Sequence, residues 1–501
     1  MTIRTYRTLA LAITSALLAA VPGTLTAQAR SAIPIARLDS VIAPLFALDL
    51  APGLGVVIVR DTQVLYMKGF GFADVEAKRP FTPQTVFYVA STTKSFTGLA
   101  TAMLDAQGRF RLDDPIAKYL PEVTWKAPLD PNTITIRSLL AHTHGIGRGP
   151  VALRLAYSGE YSGNAQLIGL LAEHEALPDR NYRYTNLGYN IATLAMDKIT
   201  GESWKATLDH LIFKPLGMRN TSGYVSRVPA SSLATPYRST ATGSERIRYG
   251  KVDANMQSAG GLVTTLEDEA RWLEVNINDG RLDGRQVLPA AAVRETHAVQ
   301  ARFTQNTRGI QVTGYGLGWN IGTLGTDTIL VHGGGFPGFA THMSFMPQQK
   351  LGIVVFANNG DLGSALVELT AQHLYGVLTG NSPASADSLT ALRVQIERQR
   401  GAIKADRERR AARPQTLPLP RTAYTGTFTN AAMGTLVLSL NADGSLEARM
   451  GSAWSAVEVY DATKNQLRVE LFGSGGVMTM NVDGDRVVSV NFEGFTFTRV
   501  P

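Results

Sequence analysis

A serine and a lysine three residues apart, Ser91 and Lys94, open a run whose apolar residues fall at 96, 99, 100, 103 and 104. That spacing predicts a helix with one buried stripe. Residues three apart share a face, so the lysine amine can reach the serine hydroxyl. A serine attacks a carbonyl only when a base takes its proton, and a partly desolvated lysine can be that base. A helix start adds unpaired backbone N–H groups and a dipole that favour a developing oxyanion. Ser91, Thr92 and Thr93 also carry the hydroxyls expected of an N-terminal cap. Two further groups have suitable chemistry. Tyr184-Thr185-Asn186 precedes a helical run, and a tyrosine beside an ammonium can lose and return a proton. His332-Gly333-Gly334-Gly335 precedes the strand-like Met343–Pro347, where glycines let a backbone approach a substrate and one N–H can complete an oxyanion hole.

Three stretches must position these groups. Residues 32–380 mix strand and helix patterns. Gly55–Arg60 and Val64–Tyr66 read as a hairpin turning at Asp61-Thr62-Gln63, and Leu351–Ala357 as a buried strand. Ala165–Glu175, Gly188–Thr200 and Trp204–Phe213 have helical spacing. Residues 381–420 form a charged stretch ending at Pro414, Pro418 and Pro420, read as a helical linker. From 421 to 501 the pattern turns to period two, in short runs separated by Asn441–Gly444, Gly473–Gly476 and Asp483-Gly484-Asp485. Such regular short strands predict a small antiparallel β-barrel.

The order S-x-x-K, Y-x-N, H-G-G resembles the serine hydrolases related to class C β-lactamases, peptidase family S12, with penicillin-binding proteins, D-aminopeptidases and esterases. Gly108–Pro115 with Tyr119-Leu120-Pro121, Ile136–Gly145, Pro215–Met218, Ala259–Leu262 and Tyr315–Trp319 are similar to further segments of that family. The resemblance covers about 40–360. It implies an α/β (α+β) fold of the β-lactamase/transpeptidase type: an antiparallel sheet flanked by helices, with a helical subdomain. Some relatives add a lipocalin-like C-terminal domain. It further implies that Ser91 is the acylated nucleophile, Lys94 its base and Tyr184 the general acid/base. Asn186 would hold a substrate amide, His332 and Gly334 would belong to the substrate-binding strand, and the N–H groups of Ser91 and Gly335 would form the oxyanion hole. No metal or organic cofactor is implied. The β-lactamases carry Lys-Thr-Gly where this chain has His332-Gly333-Gly334. A histidine is mostly neutral at pH 7, so carboxylate recognition, and with it β-lactam turnover, is expected to be weak. The chain offers no dedicated deacylating glutamate of the class A kind.

Composition bounds the remainder. At 501 residues, 44% hydrophobic and 18% charged, the chain reads as globular and of more than one domain. The net charge of +7 is concentrated in a linker with eight Lys/Arg against four Asp/Glu between 387 and 413, so nucleic acid is not an expected partner. Arg4 and Arg7, the apolar Leu9–Val21 and Ala27-Gln28-Ala29 read as a cleaved signal over 1–29. They place the protein in the periplasm or outside the cell, with no stable membrane span after cleavage. With no cysteine, a lipoprotein anchor, disulfides and thiolate metal sites are excluded. His142 and His144 lack a third ligand at metal spacing; the family pattern makes His142 structural. Tyr315 and Trp319 have core packing as the ready alternative to lining a cleft. The expected activity is hydrolysis of amides or esters, in peptides (including those with D-amino acids) or carboxylic esters. Rival readings are a penicillin-binding-like receptor for peptidoglycan fragments, a true class C-type β-lactamase, and a carbohydrate- or lipid-binding barrel carrying a vestigial hydrolase. The sequence leaves the oligomeric state open.

Overall fold

The structure, a computed structural model, describes residues 35–501 apart from 148, 249, 308 and 381–385. The expected signal segment lies outside the described residues. Nine antiparallel strands form the central sheet. Six come from the C-terminal half, Ala301–Thr307, Ile310–Tyr315, Asn320–Leu324, Asp327–Phe336, Phe339–Met346 and Leu351–Ala357. The last of these pairs with Gly53–Arg60, which leads on to Gln63–Asp74 and the edge pair Arg79–Pro80. The Gly53–Gln63 hairpin turns at Asp61-Thr62, close to where the sequence placed it.

Gly53–Arg60 and Leu351–Ala357 are almost wholly apolar because both faces are covered. Val57, Val59, Val354 and Phe356 point to one core, and Val56, Ile58, Ile353 and Val355 to the other. The second face is capped by the helices Ile35–Phe46 and Gly363–Thr379. The first is capped by Thr93–Ala106 and Leu266–Ile277, where Phe96 stacks on Trp272 with ring centroids 3.8 Å apart. The regular elements described within residues 107–260 are mostly short helices, the longest being Leu187–Thr200. This is the expected β-lactamase/transpeptidase-like architecture.

The charged stretch contains a helix, Ala386–Ala411. Beyond it, strands from Gly426 to Arg499 form a second nine-stranded antiparallel sheet. Its two edge strands, Ala453–Ala456 and Glu458–Asp461, are separated in sequence by Val457 alone. They therefore act as one bent strand that bonds both ends of the sheet and closes it into a barrel. Phe428, Leu436, Leu467, Met478, Val490 and Phe497 are among the side chains that fill the interior.

Candidate active site

Ser91 lies in a single 3₁₀ turn, Ala90–Thr92, that runs into the helix Thr93–Ala106. Its predecessor Ala90 has φ +49°, a left-handed conformation that costs a β-carbon-bearing residue energy and marks a sharply aimed turn. The expected hydroxyl cap is absent. The hydroxyls of Thr92, Thr93 and Ser95 donate back to the carbonyls of Val89, Ala90 and Thr92, at 3.1, 2.7 and 2.8 Å. Buried hydroxyls one turn past a carbonyl find their acceptor there, and so tie the turn to the strand before it.

The turn is clamped from the other side by 258–264. Val89 N–H donates to Leu262 O at 3.1 Å, Leu262 N–H to Thr93 Oγ1 at 3.2 Å, and Tyr88 Oη to Gly260 O. Lys94 Nζ donates to Ala259 O at 2.7 Å and to Asn186 Oδ1 at 2.8 Å, and lies 3.2 Å from Ser91 Oγ. The lysine is wholly buried, and desolvation lowers its pKa well below the usual range. Two tetrahedral directions of its nitrogen are thus spent on carbonyl oxygens. In the neutral amine the third is the lone pair, directed at the serine hydroxyl.

Tyr184 is half-buried, with Lys94 Nζ 4.6 Å from its ring centroid. Its backbone is pinned on both sides by His142, whose carbonyl accepts from Arg183 N–H at 3.0 Å and whose Nδ1 accepts from Thr185 N–H at 3.4 Å. The His142 ring itself stands 4.6 Å from that of Tyr184. Thr185 Oγ1 accepts Leu187 N–H at 3.1 Å, starting the helix Leu187–Thr200 and leaving Asn186 at its N-terminal boundary. Two sequence-distant segments, Ser91–Lys94 and Tyr184–Asn186, therefore meet.

The glycine strand flanks them. Its pairing with Asn320–Leu324 ends at Val331, so His332–Phe336 has a strand neighbour on one side only. Gly334 backs directly onto the turn, since a β-carbon there would stand 2.1 Å from Val89 O. A β-carbon on Gly335 would meet nothing within 4 Å. His332 is 3% exposed, and burial, aided by Lys94, brings its pKa down to about 3. Its Nδ1 bonds Gly333 O at 2.8 Å and its Nε2 bonds Tyr315 Oη at 3.1 Å. For a neutral ring this assigns the proton to Nδ1 and makes Tyr315 the donor to Nε2. Both nitrogens are taken, so the ring shapes the wall and leaves no donor for a ligand. That is the difference from the substrate-binding role expected of it.

Two groups, Ala259 and Lys251, escaped the sequence reading, which leaves Tyr315 open between cleft and core. Ala259 O orients Lys94 through its backbone, which no residue type signals. Tyr315 reaches His332, whereas Trp319 packs in the core against Phe345 at 5.1 Å. Lys251 is buried, donates to Ala156 O at 2.6 Å and lies 4.0 Å from the Phe336 ring centroid; burial lowers its pKa to about 7.

A family model described as Beta-lactamase matches residues 38–376. The chain belongs to the β-lactamase family. It is 27% identical over 326 residues to Protein flp of Staphylococcus aureus (strain NCTC 8325 / PS 47), covering 64% of this chain and 62% of that relative. The chain thus spans less than two thirds of the length of that relative. It is also 27% identical over 424 residues to Unguisins hydrolase ungD' of Aspergillus campestris (strain IBT 28561), covering 77% of this chain and 74% of the other. The solved octameric penicillin-binding protein homologue from Pyrococcus abyssi superposes with a TM-score of 0.58 at 20% identity, covering 93% of this chain and all of that one. The family fold with an added C-terminal unit is therefore shared beyond this chain.

Proposed function

We propose that this member of the family is an exported serine hydrolase that forms an acyl-enzyme on Ser91, with peptides or carboxylic esters as substrates. The observation that carries the reading is the buried Lys94 amine, held by Asn186 Oδ1 and Ala259 O with its remaining direction on Ser91 Oγ. Ser91 Oγ attacks the substrate carbonyl carbon as its proton passes to Lys94 Nζ. The tetrahedral oxyanion is received by the N–H groups of Ser91 and Gly335. The bond to the leaving group then breaks, and that group takes a proton relayed from Lys94 through Tyr184. Water attacks the acyl-enzyme by the same route in reverse, releasing the acid and restoring Ser91. Asn186 keeps its amide NH₂ for a substrate carbonyl while its oxygen holds Lys94. The neutral His332 supplies no cation for a β-lactam carboxylate, so that activity is weak. Export rests on the N-terminal pattern of Arg4, Arg7, Leu9–Val21 and Ala27-Gln28-Ala29.

A fluorophosphonate probe followed by intact mass tests the nucleophile: one adduct on the wild type and none on Ser91→Ala are expected. Equal labelling of both, or of neither, refutes it. Turnover of p-nitrophenyl esters, D-amino-acid p-nitroanilides and nitrocefin then ranks the substrate classes.

A further inference from the structure

A cavity of about 770 Å³ lies where the catalytic domain, the helix Ala386–Ala411 and the barrel meet. Its near end is Phe336-Pro337-Gly338, the residues that follow Gly335 along the glycine strand. The barrel closes over this end. Phe472 stands 5.3 Å from Tyr157, Tyr157 stacks on Phe336 at 5.6 Å, and Gly473 is packed against Pro337. A volume of this size suits a ligand of several hundred daltons.

Seven arginines and four carboxylates line the cavity. Most of these charges cancel across the seam. Arg238 bonds Glu470 at 2.6 Å, Arg410 Nε bonds Glu458 at 2.8 Å, and Arg468 bonds Glu470 at 2.7 Å. Arg246 and Arg248 are different. Among the described residues Arg246 makes only long ion pairs, 3.9 Å to both Asp74 and Glu76, and Arg248 has no carboxylate partner. The Arg248 guanidinium stands 5.7 Å from the ring centroid of Trp454, a barrel residue on the same wall. The near end is thus aromatic, and beyond it lie the loosely paired Arg246 and the carboxylate-free Arg248.

We propose that this cavity holds the acyl portion of the substrate and that this portion carries a terminal anionic group, received by Arg246 and Arg248. The inference rests on the serine hydrolase reading above. A substrate extended along the one-sided strand His332–Phe336 is led into the cavity. The leaving group must depart while the acyl group stays attached and water enters, so the portion that stays is the one suited to a pocket walled by three parts of the chain. Charge-assisted bonds from guanidinium to carboxylate give such a tail both grip and direction.

The test compares p-nitrophenyl esters of suberic acid with the far carboxylate free or capped as its methyl ester. Wild-type kcat/KM should favour the free acid by about tenfold at low salt, roughly the worth of one charge-assisted hydrogen bond. In Arg246→Gln/Arg248→Gln, both exposed positions, the ratio should fall to about one with the capped ester's rate unchanged. A wild-type ratio near one, or a ratio untouched by the substitutions, overturns the proposal. Calorimetric titration of suberate into Ser91→Ala, with and without the arginine substitutions, reads the cavity without turnover. Heat that disappears with the arginines supports the site, and no heat, or heat independent of them, refutes it. Fluorophosphonate labelling reads Ser91 separately, so a failed cavity and a failed nucleophile give different results.

Discussion

Replacing Gly334 by alanine tests whether the glycine strand and the nucleophile turn act as one unit. The added β-carbon would stand 2.1 Å from Val89 O, whereas ordinary carbon–oxygen contacts begin at about 3.3 Å. Strand or turn must therefore yield by about 1 Å. The Val89 carbonyl is already committed, accepting the Thr92 hydroxyl at 3.1 Å, and the next residue is the strained Ala90. The displacement falls on Ser91, two residues on, and on the neighbouring Gly335 N–H. A misplacement of that size at reacting atoms costs on the order of 10²-fold in rate, while overpacking costs about 1–3 kcal/mol of stability. Gly335→Ala is the control: its β-carbon enters open space and its N–H is kept, so its rate should stay within about threefold of wild type. The assay is kcat/KM on p-nitrophenyl acetate together with the rate of fluorophosphonate labelling, read beside thermal melts. A wild-type rate for Gly334→Ala, or an equal loss at Gly335→Ala, would refute the close-approach argument.

Three further outcomes follow from buried polar groups. Glu269 is buried with neither carboxylate oxygen hydrogen-bonded, and burial raises its pKa to about 8 from 4.5. The unfolded chain ionises first, so stability drains as pH rises between those values, by about 5 kcal/mol in full. Glu269→Gln should therefore raise Tm at pH 8 and hardly change it at pH 5; parallel curves would contradict this. Asn186→Asp places a carboxylate against Lys94 Nζ, favours the ammonium, and should move the acid limb of the kcat/KM profile upward by about one to three pH units. An unmoved limb means Lys94 is not the titrating base. Tyr315→Phe leaves His332 Nε2 without its donor at a buried site and should cost about 1–3 kcal/mol in chemical denaturation; no loss means the hydrogen bond is not made.

Some of this molecule could be read from local pattern because local physics decides it. The apolar spacing behind Lys94 sets a helix, the unbroken run Leu351–Ala357 a strand buried on both faces, and the two-residue rhythm after 421 a barrel. The nucleophile and its base are three residues apart, so their meeting follows from helix geometry. What joins groups far apart in sequence was settled by packing. Capping by the threonines failed because, once buried, their hydroxyls found carbonyls one turn back. The role of Ala259 is played by a backbone oxygen, invisible in any residue type. His332 reads as a ligand-binding residue, yet the fold buries it and gives Tyr315 to its second nitrogen. Gly334 and Gly335 are the same letter twice, and only their surroundings make one obligatory and the other open. Sequence by itself determined which side chains can do the chemistry. Tertiary structure decided which stay free to do it, because burial and partner choice are set by segments that meet only in the folded chain.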